Sequence, residues 1–127
     1  MQTQPRASHS ASRIVALIQA LYYLPTGIWP LIHIRSFERL TGPKVDRWLV
    51  KTVSILIAVI GAAIGSAALR RRITPEIELL AAGSAAGLAA IDVIYVARRR
   101  IAPIYLLDAL GEALLIGGWL RARGLGR

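Results

Sequence analysis

The spacing of the charges constrains this chain more than any other feature: long stretches without a formal charge alternate with short basic clusters. Residues 14–34 make 21 uncharged positions, and residues 52–69 make 18, bounded by Lys51 and by Arg70-Arg71-Arg72. Residues 79–97 make 19, interrupted only by Asp92 and closed by Arg98-Arg99-Arg100. Residues 101–120 make 20, interrupted by Asp108 and Glu112 and closed by Arg121. A helix needs about 20 predominantly apolar residues to cross the hydrocarbon core of a bilayer. Membrane β-strands would be shorter and would alternate with period two, which these stretches do not. The spacing therefore predicts an all-α integral membrane protein, a four-helix transmembrane bundle. Its spans are expected at about 14–34, 50–69, 76–97 and 101–120, within a domain covering 13–121. A flexible tail is expected over 1–12 and a basic tail over 122–127.

Composition sharpens what is excluded. Sixteen Lys and Arg against seven Asp and Glu give the 127 residues a formal charge of +9, yet 55% of them are apolar. Cations packed between apolar runs fit neither a disordered basic tail nor a soluble nucleic-acid binder, and a chain without cysteine is no disulfide scaffold. The Arg triplets read as headgroup anchors and positive stops. The expected partner is the lipid bilayer and not nucleic acid, with a multi-pass location.

The first span is the least regular, because Pro25 and Pro30 lie inside it. Each proline removes a backbone donor and crowds the preceding turn, so a kink at Pro25 and Pro30 is expected. Two forms are open, a kinked packing helix or a broken helix lining a cavity. No small-residue cleavage site follows the apolar run, so the span reads as retained and not as a signal peptide. His9, in the tail, reads as solvated and inert. Residues 35–48 form the longest link, and Gly42-Pro43 within it reads as a stop and restart. Phe37, Leu40 and Trp48 among its charges predict an amphipathic stretch in the headgroup region. Thr74-Pro75-Glu76 is a helix start, with Thr as cap, Pro in the first turn and acid at the positive dipole end.

Gly61 and Gly65 in the second span, and Gly83 and Gly87 in the third, are two GxxxG pairs flanked by alanines. Such faces let backbones approach closely in lipid. Pairing of these two spans with each other is the economical expectation, and a homodimer through the same face the alternative. With four spans, the termini and the second link carry 8 Lys and Arg, and the other two links carry 8. The positive-inside rule then sets no orientation. Either the chain inserts both ways, or its first span or a partner fixes the direction.

Charge inside a span costs roughly 2.5–3.5 kcal/mol at its centre and usually faces the bundle interior. Asp92 lies six residues before Arg98, about 9 Å inside that boundary, and Asp108 lies about 12 Å from the same boundary at the helical rise. Glu112 follows Asp108 by four residues, so the two share a face. Tyr95 and Tyr105 are each three residues from an acid. Lys51 and His33 enter from the same end of the bundle, and Trp29, Gln19 and Tyr22 or Tyr23 reach in from the first span. These residues predict a polar pocket holding a small-molecule or lipid-like ligand, or coupling protons, at Asp92, Asp108, Glu112, Lys51, His33, Tyr95, Tyr105 and Trp29. The plainer reading makes them structural glue: Lys51 paired with Asp92 or Asp108, and Glu112 protonated onto a backbone carbonyl. A catalytic acid/base site is the third. No nucleophile elbow, metal-ligand cluster, phosphate loop or haem motif is present, so no catalytic residue, metal or cofactor is expected and the reading leans away from an enzyme.

The segment Ser36-Phe37-Glu38-x2-Thr41-Gly42-Pro43-Lys44-x-Asp46-x-Trp48-Leu49-Val50-x-Thr52 resembles one found in an uncharacterised family of small bacterial four-span membrane proteins. Gly27-x-Trp29-Pro30-Leu31 and Asp92-x2-Tyr95-Val96 belong with it, so the resemblance covers the chain from the first span to the fourth. In size and topology the chain is also similar to the DoxX-like class. The resemblance implies a four-helix bundle of the bacterial inner membrane and carries no activity. It departs from the small multidrug transporters, which have a lone glutamate in the first span, and from the fluoride channels, which have a broken third span. Two functions follow as expectations: a ligand-binding or transport bundle with an acidic pocket, or an accessory subunit of a larger membrane complex docking through its GxxxG faces and Thr41-Gly42-Pro43-Lys44.

Overall fold

The computed structural model describes residues 6–42 and 46–124. Among them every regular element is helical: α1 (Arg6–Ile32), α2 (Ile34–Thr41), α3 (Arg47–Leu69), α4 (Pro75–Ala97) and α5 (Tyr105–Gly124). Three helices are long and apolar enough to cross a membrane, over Ser10–Ile32, Arg47–Leu69 and Pro75–Ala97. The chain is therefore a membrane protein by length and composition. The fourth expected span falls on α5, 20 residues that carry Asp108, Glu112, Arg121 and Arg123.

Helix α1 differs from expectation at both ends. It begins at Arg6, so residues 6–12 of the expected tail are its opening turns, while residues 1–5 lie outside the described region. Ser12 is buried, and the Arg13 guanidinium donates to the Ala68 carbonyl at 3.0 Å, which ties this end to the C-terminus of α3. The helix then runs through Pro25 and Pro30 to Ile32, so the broken-helix form is not what the chain adopts. Pro25 is exposed on the outer side and Pro30 lies within the last turn; each lacks the amide that would have donated to the carbonyl four residues earlier, that of Leu21 and of Thr26. The Thr26 hydroxyl donates to the Tyr22 carbonyl at 2.6 Å beside the first proline. His33 separates α1 from α2 and caps the latter, its Nδ1 accepting from the Ser36 amide at 3.2 Å. The expected amphipathic stretch is this short helix, ended by Gly42 at φ 97°.

Helix α4 starts as its sequence predicts, with the Thr74 hydroxyl accepting from the Ile77 amide at 3.3 Å and Pro75 in the first turn. The two Arg triplets end α3 and α4 in the same way. The Arg72 amide donates to the Ala67 carbonyl and that of Arg71 to Ala68; the Arg100 amide donates to Tyr95 and that of Arg99 to Val96. These are Schellman closures, and the middle arginine of each takes the left-handed backbone usually left to glycine, Arg71 at φ 56° and Arg99 at φ 58°. At the far end α5 continues to Gly124 with Ala122 buried, so the expected basic tail at 122–127 is helical as far as 124; residues 125–127 lie outside the described region.

Helix α1 is the hub, antiparallel to α3 on one side and to α5 on the other, with α4 laid mainly on α5. Its buried positions Ala16, Ala20, Tyr23, Gly27 and Pro30 recur at spacings of four and three, the seam of a left-handed helix pair. A Cβ on Gly27 would stand 2.7 Å from the Ala58 amide nitrogen and the Ser54 carbonyl oxygen, and one on Gly61 would stand 2.9 Å from the Tyr23 Cβ. The α3 GxxxG pair thus packs on α1 and not on α4. A Cβ on Gly83 or Gly87 of α4 would meet nothing within 4 Å outside its own helix backbone among the described residues. The expected pairing of the two GxxxG spans is overturned because α1, not α4, supplies a small-residue seam long enough to match α3. Alanine and polar groups fill the centre around Ala16, Ile64, Ala68, Ala81 and Trp119, while Leu21, Ile32, Leu79, Leu107 and Leu114 point outward. That inversion suits a solvent of acyl chains.

Candidate functional site

The polar interior is built from one face of α1. Gln19, Tyr22 and Tyr23 are spaced by three and four residues and project toward α4 and α5. Gln19 is fully buried; its Nε2 donates to the Ala81 carbonyl at 2.9 Å and its Oε1 accepts from Trp119 Nε1 at 2.7 Å. One turn along, the Tyr23 hydroxyl donates to Glu112, 2.8 Å from Oε1 and 3.0 Å from Oε2. Glu112 is 0% exposed and Tyr23 1%, so this pair is closed off from any solvent. The Tyr22 hydroxyl donates to Asp108, and its ring lies over Gly111, where a Cβ would meet it at an ordinary 3.7 Å. The two tyrosine rings are 6.0 Å apart and tilted by 57°.

Asp92 completes the seam from α4. It is 6% exposed, and its Oδ2 has no hydrogen-bond partner among the described residues. The seam presents one buried acceptor oxygen, Oδ2 of Asp92, that a donor-bearing molecule would satisfy. Among the described residues no group of three or more His, Cys, Asp or Glu is placed to hold a metal ion.

Of the residues the sequence nominated, the three acids come together, while Lys51, His33, Trp29 and Tyr95 lie elsewhere. Lys51 is exposed on the first turn of α3, whose main partner is α1. His33 is exposed and caps α2. Trp29 donates from Nε1 to the Ser36 hydroxyl at 2.7 Å and stands edge-on to Phe37, with centroids 5.4 Å apart. Tyr95 is exposed, with the Arg98 guanidinium 5.9 Å from its ring centroid, and Tyr105 opens α5, half-buried. The single pocket uniting the acids with Lys51, His33 and Trp29 is thus replaced by two separate places, the acid seam and the α2 end of the bundle. Trp119 is the seam residue that sequence reasoning missed. A signal existed in the spacing of Gln19, Tyr22 and Tyr23, which puts three hydrogen-bonding side chains on one face of an otherwise apolar span.

Comparison with protein families, with curated proteins and with solved structures gives no match.

Proposed function

We propose that the chain is a four-span membrane protein whose acid seam binds a small hydrogen-bond-donating solute or lipid-like ligand at Asp92 and Asp108. Support for α5 as the fourth span comes from where its charges point. Asp108 and Glu112 turn inward to tyrosines, Arg121 and Arg123 lie in the last turn, and Leu106, Leu107, Leu110, Leu114 and Leu120 are left facing out. The binding reading is carried by the unsatisfied Oδ2 of Asp92. A buried acceptor without a donor is costly, and an ionisable group inside a membrane span is by default a functional candidate. Glu112, sealed by Tyr23, serves in this reading as an anchor between α1 and α5.

A hydrophobic carbodiimide, which reacts with protonated carboxyls reachable from the membrane, tests the division of labour. Labelling located by mass spectrometry is expected at Asp92 or Asp108 and not at Glu112, and octylamine is expected to protect the labelled site. Asp92→Asn should remove labelling at that position and leave the folded yield near wild type. Loss of fold in Asp92→Asn, or equal labelling of Glu112, would overturn the proposal in favour of acids that act only as glue.

A second reading has an observation of its own. The Gly83 and Gly87 face of α4, with exposed Ala86 and Ala90 beside it, packs on nothing among the described residues. Such a face suits an accessory subunit of a larger membrane complex. Pro43 and Lys44 of the other expected docking surface lie outside the described residues. Gentle extraction from native membrane followed by mass spectrometry decides; a protein recovered alone sinks the subunit reading.

A further inference from the structure

Away from the acid seam, at the junction of α2 and α3, three arginines converge without enough acid to balance them. Arg35 and Arg39 are four residues apart on α2 and so share a face, and Arg47 is the first residue of α3. Together with Glu38 they line an open depression of about 240 Å³. Glu38 is only 9% exposed, and its Oε1 lies 2.8 Å from the Arg47 Nη2, which fixes that guanidinium at the wall. Among the described residues that line it, one carboxylate stands against three guanidiniums, two positive charges in excess.

The surroundings say where the balancing anion comes from. The helix carrying Arg35 and Arg39 begins two residues after the membrane-crossing α1 ends. Leu40 is 55% exposed and Trp48 68% exposed beside the depression, and Trp29 borders α2 through Ser36. Exposed tryptophans and leucines around a basic cluster at a span boundary are the pattern of the headgroup layer. The planar guanidinium fork matches phosphate oxygens in pairs, which an ammonium does not. We propose that this depression is a binding site for the phosphate group of an anionic phospholipid, with Arg35, Arg39 and Arg47 as donors and Glu38 as the positioning residue that holds Arg47. The site is independent of the acid seam.

The test is native mass spectrometry of the full chain in detergent, titrated with phosphatidylglycerol or phosphatidylcholine and counting retained lipid. Wild type is expected to retain one phosphatidylglycerol at concentrations where phosphatidylcholine is lost. Each cation near a charged lipid surface is worth about 1 kcal/mol, roughly five-fold in affinity, so Arg35→Gln with Arg39→Gln should weaken retention roughly thirty-fold. Arg98→Gln, outside the depression, should change it less than two-fold. The pair Arg35→Lys and Arg39→Lys keeps the charge and removes the forks, and retention should stay well below wild type. Full rescue by lysine would mean a diffuse basic surface and would overturn the site. Displacement of the lipid by millimolar inorganic phosphate would overturn the lipid as its ligand.

Discussion

Tyr22 and Tyr23 are neighbours in the chain yet serve two acids that lie a full turn apart on α5. The two bonds should differ in weight. Glu112 is wholly buried and has Tyr23 as its hydroxyl donor, so Tyr23→Phe leaves a carboxyl unsatisfied and should cost about 1–2 kcal/mol, the upper part of the range for polar contacts inside membranes. Asp108 is half-buried, and Tyr22→Phe should cost less. Thermal or denaturant midpoints of the purified variants in one detergent check the order, and a neutral Tyr23→Phe would contradict it. The acids themselves were legible in the sequence because a bilayer makes charge conspicuous. Their partners were legible only in part: Gln19 and Tyr22 or Tyr23 are expected to reach in from the first span, but the spacing assigns each aspartate the tyrosine three residues along its own helix. A step of three turns the helix by about 300°, which leaves Tyr95 at the edge of the face that carries Asp92, and Tyr95 points out beside Arg98. The true donors came across from α1, and only the three-dimensional packing brings them there.

At the scale of elements, the seam between α1 and α3 explains why some glycines matter and others do not. A Cβ at Gly27 would meet backbone atoms of α3 at 2.7 Å, and backbone cannot step aside as a side-chain tip can. Gly27→Ala should therefore push the helices apart and cost about 1–3 kcal/mol, as overpacking does. Gly83→Ala on α4 meets open space and should be neutral or slightly stabilising for the isolated chain, since alanine favours helix. Parallel unfolding midpoints of the two variants check this contrast; equal effects would mean that the α1–α3 contact is looser than described. The GxxxG pairs were plain in the sequence, but the motif names a surface and not its partner. The matching seam on α1 was hidden because it contains a bulky tyrosine and a proline among its small residues. Helix starts and stops were the most readable feature, since Thr74, Gly42 and the Arg triplets act through local backbone chemistry that needs no distant partner.

For the whole molecule, a four-span arrangement would divide the Lys and Arg 8 and 8 between the two sides and leave orientation to something other than charge, while the order of helices in the bundle bears on how many spans there are. If α5 crosses the membrane, reporters placed in the link at residues 70–74 and after Gly124 should read from the same side. Opposite sides would leave α5 outside the count of spans, and mixed readings at both positions would mean insertion in two directions. The sequence reading and the fold agree that the outer surface is apolar around all the long helices, because hydrophobic length is additive along a chain. They part company over neighbours: α3 and α4 are joined by a short link but meet mainly near it, whereas α1 and α5, at opposite ends of the described chain, share the polar seam.

That seam has a consequence for biogenesis. Glu112 lies near the middle of α5, where insertion scales charge a carboxylate about 2.5–3.5 kcal/mol, and Asp108 adds a second acid in the first turn, so α5 should partition poorly from the translocon into lipid by itself. The tyrosines that would offset this cost belong to α1, which is synthesised before α5. In a four-span arrangement α1 would act as an intramolecular insertion chaperone, waiting in the membrane until α5 emerges. Replacing both tyrosines by phenylalanine should then raise the fraction of chains whose α5 stays out of the bilayer. A glycosylation acceptor fused after Gly124 would report that fraction during synthesis, before any question of folded stability arises.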